Sequence, residues 1–156
     1  MDPLFIGQAA MKGLQACLKA YERVDPTDQS TVICKSGGKF DLVDAQTLKS
    51  QNLLGAKSDG EKLVYNLADT EDYLLKTDIL LKLCSDINDL NKLYRKSFKK
   101  IETYDEEEEC TVTPDACNGY TFELYINSFF QFCESNRFGV LVIDKSEEFA
   151  PVKSDD

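Results

Sequence analysis

An α+β fold is what the chain's pattern predicts: a small mixed sheet of short strands with helices packed on it. Three observations lead there. "TVICK" and "KFDLV" are short β-rich runs on either side of Ser36, Gly37 and Gly38. The stretch from Thr70 to Ile101 has no Gly or Pro and keeps apolar residues at helical spacing. "FGVLVID", Phe138 to Asp144, is an apolar run with the length and β-branched content of a strand.

Residues 3–24 read as a helix. Met11, Leu14, Leu18 and Tyr21 share one face, with Ala10 and Cys17 beside them, and Asp25-Pro26 closes the element. The hairpin of the opening observation follows, because Gly tolerates the positive φ of a tight turn. Asp44 is placed to cap "AQTLKSQNLL", with Gly55 as its stop. "KLVYNL", Lys62 to Leu67, reads as a third short strand after a polar loop.

Leu80, Leu83, Cys84, Ile87, Leu90, Tyr94, Phe98 and Ile101 then predict a long helix over about 70–101, continuous or broken near Ser85–Asp89. "YDEEEEC" and "TVTPDACNG" form a loop. Residues 120–133 stay open between helix and strand. Phe122, Tyr125, Ile126, Phe129, Phe130 and Cys133 make a helical face, yet Tyr120, Phe122, Leu124 and Ile126 alternate after Asn118-Gly119. The reading is one domain over 1–144, with an N-terminal helix 3–24 and an α+β core 31–144. A flexible acidic tail, 145–156, follows.

The chain has 156 residues, 42% of them apolar, enough for a core in one domain. Twenty-eight acidic against 18 basic residues make −10, which argues against direct nucleic-acid binding. The N-terminus lacks the basic region of a signal peptide, and no apolar run reaches the ~20 residues of a membrane span. An intracellular place, cytoplasmic or nuclear, is the expectation, with reduced cysteines.

Chemistry has few footholds. Without histidine there is no Ser-His or Cys-His dyad, and no zinc site that uses His. Cys110 and Cys117 stand too far apart for the usual zinc pair. Gly37-Gly38 lacks the Lys and Ser/Thr of a phosphate loop, and Asp86, Asn88 and Asp89 lack the Gly and terminal Glu of a calcium loop. No metal, cofactor or catalytic residue is assigned. The aromatic set Phe129, Phe130, Phe132 and Phe138 is read as core.

The order strand, Gly turn, strand, helix, loop, strand, helix resembles the start of the BTB/POZ fold, in its small adaptor branch with elongin C and the adaptor of F-box ubiquitin ligases. "TVICKSGGKFDLVDAQTLKSQNLL" looks like its opening hairpin and first helix, "KLVYNLADTEDYLLKTDILLKLC" like its third strand and next helix, and "YTFELYINSFFQF" like a later helix. The likeness covers 31–84 and 120–133. It implies a non-catalytic protein–protein adaptor, a scaffold of a ubiquitin-ligase assembly that docks a cullin, a substrate receptor or a second copy of itself. By position, Tyr65, Tyr73, Leu74 and Tyr125 are its partner-binding candidates. The alternative is an acidic α+β regulatory or inhibitory protein that engages a basic partner through 104–110, with Glu106, Glu107, Glu108 and Glu109 as contacts.

Overall fold

The computed structural model describes residues 2–58, 62–85, 91 and 93–151. Where the sequence reading has one domain over 1–144, the chain divides into two compact units. One comprises residues 1–82 with 127–156, the other residues 83–126.

The first unit is built on a five-stranded sheet. Its strands are β1 (Ala16–Glu22), β2 (Val32–Ser36), β3 (Lys39–Val43), β4 (Leu67–Leu75) and β9 (Phe138–Ile143), in the order β3-β2-β4-β1-β9. β1 runs antiparallel to β4 and parallel to β9, in register from Ala16 opposite Phe138 to Tyr21 opposite Ile143. Ala16 through Tyr21 are all buried. A strand covered on both faces reads as a continuous apolar run and shows no alternation.

That is why the helix expected over 3–24 is wrong. Only α1 (Pro3–Met11) is helical; Asp2 caps it by accepting from the Leu4 and Phe5 amides at 2.8 and 3.3 Å. Gly13 then takes φ 59°, a left-handed conformation suited to leaving a helix. Cys17, Leu18 and Tyr21 fall at spacings that suit one helix face, but a fully buried strand accepts them equally well.

The β2–β3 hairpin forms as the sequence predicts. Gly37 and Gly38 have φ of 56° and 81°, and the ladder runs from Val32 opposite Val43 to Ser36 opposite Lys39. Asp44 caps α2 (Ala45–Ser50) through the Thr47 amide at 2.8 Å. The third strand starts later than "KLVYNL" suggests: Leu63 makes only an isolated bridge to Lys57, and β4 begins at Leu67.

The long helix over 70–101 does not form. Its first third is β4, α3 spans Thr77–Cys84, and β5 spans Tyr94–Lys99. Pairing of β4 with the buried β1 outweighs the apolar spacing, and Asp69, Thr70 and Asp72 are weak helix formers. The expected break at Ser85–Asp89 lies almost wholly outside the described residues, as do the calcium-like Asp86, Asn88 and Asp89.

One core cluster gathers around Leu18, Leu42, Phe130 and Phe138. Phe138 stacks on Phe40 (ring centres 4.3 Å, 16°) and meets Phe130 edge-on (5.1 Å, 71°), and Phe130 meets Tyr73 edge-on at 5.2 Å. Such pairs add about 0.5 to 1.5 kcal/mol each beyond the area they bury. Phe129, Phe130 and Phe138 are buried, as expected of core. Past β9, residues 145–148 form a short helix, α4, capped by Asp144 through the Ser146 amide at 2.8 Å, and the Phe149 ring lies 5.3 Å from that of Tyr21. This part of the tail is therefore packed; residues 152–156 lie outside the described residues.

In the second unit β5 pairs with β8 (Gly119–Leu124), and β6 (Thr103–Asp105) with β7 (Cys110–Val112). Residues 120–133 thus resolve into a strand and then a 3-10 helix over Ile126–Phe132. All six cysteines are free. No helix among the described residues is long and apolar enough to cross a membrane.

Arg23 is 2% exposed, and its guanidinium donates only to backbone carbonyls: Tyr65 at 3.0 Å, Pro26 at 3.3 Å and Leu54 at 2.8 Å. It ties the β1–β2 and α2–β4 connections to the end of β1. Arg23→Met removes the donors and leaves those carbonyls without them. A loss of about 3 kcal/mol is expected in urea unfolding at unchanged slope.

Candidate functional site

A cleft of about 530 Å³ opens in the first unit. Three segments line it: the β1–β2 loop with Asp28 to Thr31, the middle of β4 with Asp69 to Glu71, and the C-terminal turn with Lys145 and Phe149. Tyr21, at the end of β1, sits among them.

Local chemistry shapes each segment. In the loop, Asp25 accepts from the Thr27 amide and hydroxyl at 2.8 and 2.7 Å, and Asp28 from the Ser30 amide at 2.9 Å. Aspartates that bind the backbone two residues on make tight turns. The Tyr21 hydroxyl donates to Asp28 Oδ2 at 3.0 Å and lies 2.7 Å from Ser30 Oγ. Lys145 Nζ reaches the same carboxylate oxygen at 3.2 Å and stands 4.3 Å from the Tyr21 ring centre. Burial disfavours the Asp28 carboxylate, but the Ser30 hydrogen bonds, Lys145 and the Tyr21 hydroxyl outweigh it and hold its pKa at about 2.

In β4 the ladder is interrupted. Leu18 faces Tyr73 and Ala20 faces Asp69, so three β4 residues stand opposite Lys19 alone. A bulge of this kind turns side chains away from the sheet's regular alternation. The Thr70 hydroxyl donates to the Lys19 carbonyl at 3.1 Å and the Glu71 amide to Asp69 Oδ1 at 3.1 Å, while Tyr73 donates a short hydrogen bond to Asp69 Oδ2. Burial pushes the Asp69 carboxyl up, against the opposing hydrogen bonds from Tyr73 and Glu71. The Tyr73 hydroxyl is pushed up too, first by burial and then by its bond to Asp69.

The lining is acidic and rich in hydroxyls. Asp28, Asp69 and Glu71 face a single ammonium, Lys145, which Asp28 already engages. Such a lining disfavours a polyphosphate and suits a neutral ligand with several hydroxyls, for which Tyr21 and Phe149 offer aromatic surface. No cluster of metal-binding side chains occurs among the described residues.

Of the residues singled out from the sequence, Tyr73 alone bonds directly to a cleft residue. Tyr65 precedes β4 and offers its carbonyl to Arg23; Leu74 is half-buried opposite Cys17. Tyr125 belongs to the second unit, where it is exposed, donates to Glu123 and lies 6.0 Å from the Arg95 guanidinium. Glu106 to Glu109 form the exposed turn between β6 and β7, with the Glu107 and Glu108 amides donating to Asp105 at 2.9 and 3.2 Å. Tyr21, Asp28, Asp69, Glu71 and Lys145 line the cleft without any local sequence signal that marks them as functional. "DPTDQS" carries the turn-forming aspartates that could have marked the loop, but nothing local announces the bulge.

No protein-family model matches the chain. It is 27% identical over 155 residues to UDP-N-acetylhexosamine pyrophosphorylase-like protein 1 of Mus musculus, covering 99% of this chain and 30% of that protein. It is 29% identical over 153 residues to the UDP-N-acetylglucosamine pyrophosphorylase of Saccharomyces cerevisiae, covering 98% and 32%. Among solved structures it is similar to the Trypanosoma brucei UDP-N-acetylglucosamine pyrophosphorylase crystallised with an inhibitor, with TM-score 0.78, 21% identity, and coverage of 99% of this chain and 29% of that one. A UDP-glucose phosphorylase from the same organism gives TM-score 0.68 at 14% identity, covering 97% and 30%. The chain spans about 30% of the length of the curated relatives it matches.

These likenesses overturn the BTB/POZ resemblance. They overturn with it the non-catalytic adaptor, the acidic regulator, and a cullin, substrate receptor or basic protein as partner, because the similar chains are named as pyrophosphorylases of UDP-sugars. The strand order that suggested BTB/POZ is a local pattern. In the sheet, the hairpin lies at one edge, and the two strands on the far side of β4, β1 and β9, lie outside the segments compared.

The two aspartates of the cleft, Asp69 buried and Asp28 half-buried, predict opposite acid behaviour. Asp69 has a raised native pKa, so its ionised form costs stability, and that cost disappears as pH falls below the unfolded value near 3.8. Asp69→Asn is neutral throughout, and the Tyr73 hydroxyl can accept as well as donate. The variant is expected to melt above wild type at pH 7, with the gap closing below about pH 4. Asp28 has a lowered native pKa, so its contribution is present above 3.8 and lost as pH falls to about 2. Asp28→Asn is expected to melt below wild type at pH 7, with that deficit closing over this lower window. Calorimetry from pH 7 to pH 2 reads both signs.

Proposed function

We propose that the chain supplies the sugar-binding part of a pyrophosphorylase active site that acts on a UDP-N-acetylhexosamine. The observation that carries this reading is the extent of the likeness: 98% or more of the chain aligns with UDP-N-acetylhexosamine and UDP-N-acetylglucosamine pyrophosphorylases, and a solved one shares its fold at a TM-score of 0.78. The cleft's chemistry supports the assignment to the sugar end. Carboxylates and hydroxyls pair with sugar hydroxyls, and aromatic rings pack against the apolar faces of a sugar. A triphosphate needs concentrated positive charge, and this cleft has a net negative lining.

Pyrophosphorylases of this kind join a sugar 1-phosphate to UTP. A sugar-phosphate oxygen attacks the α-phosphorus of UTP, pyrophosphate leaves, and the reverse step restores the starting pair. Phosphoryl and nucleotidyl transfer depend mainly on positioning and on charge neutralisation. In this reading the cleft does the first for the sugar. Asp28, oriented by Ser30, Tyr21 and Lys145, and the β4 bulge hold the ring by its hydroxyls. The uridine and the phosphates fall outside the cleft.

The test is an amide NMR titration of the chain with UDP-N-acetylglucosamine. Saturable shifts are expected at Asp28–Thr31, Asp69–Glu71 and Lys145–Phe149, and none at the β6–β7 turn. A well-folded spectrum in which the cleft amides stay still at millimolar ligand would discard the reading.

A further inference from the structure

Glu71 combines an unfavourable backbone with an uncommitted side chain. Its φ is 66°, in the left-handed region that side-chain-bearing residues adopt at a cost and Gly adopts freely. Nothing about the turn itself calls for a glutamate: the contact that stabilises it, to Asp69 Oδ1, comes from the Glu71 backbone amide. The other two carboxylates of the cleft are engaged. Asp28 accepts from Ser30, Tyr21 and Lys145, and Asp69 accepts from Tyr73 and from the Glu71 amide. Among the described residues the Glu71 carboxylate takes no hydrogen bond and no ion pair, although it lines the cleft and is exposed.

A costly backbone at a bulge beside a cleft, carrying its one free carboxylate, is the arrangement expected when a side chain is held for a ligand. We infer that Glu71 is a specificity residue of the cleft, accepting hydrogen bonds from hydroxyls of the bound hexosamine. The inference rests on the sugar-binding reading above and adds the residue that distinguishes one hydroxyl arrangement from another. A carboxylate accepts from two neighbouring hydroxyls best when both lie on the same side as its oxygens. Inverting one hydroxyl removes a partner and leaves a desolvated carboxylate oxygen unpaired.

The experiment measures affinities of wild type, Glu71→Ala and Glu71→Gly for UDP-N-acetylglucosamine and its epimer UDP-N-acetylgalactosamine by NMR titration, with melting temperatures alongside. Wild type is expected to prefer one epimer. Glu71→Ala is expected to lose about ten- to a hundredfold in affinity for the preferred epimer, with a smaller loss for the other, so that the ratio moves toward one. Glu71→Gly is expected to show the same binding loss and to melt above Glu71→Ala, since the two differ only in the backbone cost. Unchanged affinities, or equal losses for both epimers, overturn the role of Glu71 and leave the sugar-binding reading standing. A Glu71→Ala variant as stable as Glu71→Gly overturns the claim that the bulge holds Glu71 at a cost. A folded wild type that binds neither sugar nucleotide overturns the sugar-binding reading and this inference with it.

Discussion

The burial of β1 is the constraint on which the first unit depends. Six consecutive residues, Ala16 to Tyr21, are removed from water with β4 on one side and β9 on the other. One of the six is Lys19, and an ammonium cannot stay in such a place uncompensated. Asp2 meets it at 2.8 Å and Glu148 at 3.2 Å, with the Phe5 ring 5.7 Å away. The same cation therefore draws the start of α1 and the end of α4 onto β1. Residues near both ends of the chain are fixed by one buried charge.

The cleft follows from that arrangement. Its C-terminal wall consists of residues next to Glu148, and its opposite wall is the bulge in β4 facing Lys19. The loop between them is bound to the wall by Lys145 and Asp28 and to β1 by Tyr21. A polar cleft assembled from segments far apart in sequence needs such cross-ties, because each segment alone would be an exposed turn. Arg23 plays the same part at the end of β1, where it satisfies three loop carbonyls that would otherwise lack a donor.

The likeness to pyrophosphorylases gives these features a common context. Identities of 27 to 29% extend over nearly the whole chain, and the fold matches with a TM-score of 0.78. The second unit, with its two two-stranded sheets, lies within the matched span and so belongs to the same fold. Its acidic turn, conspicuous in the sequence, is a solvated hairpin end in which Asp105 organises the backbone and the four glutamates point charge into water.

What short-range chemistry controls is legible in the sequence. Gly37-Gly38 set the hairpin, Asp44 the cap of α2, and Phe130 and Phe138 the core, because turn geometry, capping and apolar size act over a few residues. It also showed the α+β class. It does not distinguish the strand at Ala16–Glu22 or at Leu67–Leu75 from a helix: β1, buried on both faces, loses the alternation that would mark a strand, and in β4 the bulge at Thr70–Asp72 interrupts it. These two strands pair with each other, and β1 also with β9, so the pairing that fixes their conformation is absent from either segment alone. The cleft was hidden for the same reason: Asp28, Glu71 and Lys145 are unremarkable charges among 46 until the sheet brings them together. Local pattern decides what a segment can form, and only tertiary pairing decides which buried partner it meets and which carboxylate is left free to bind.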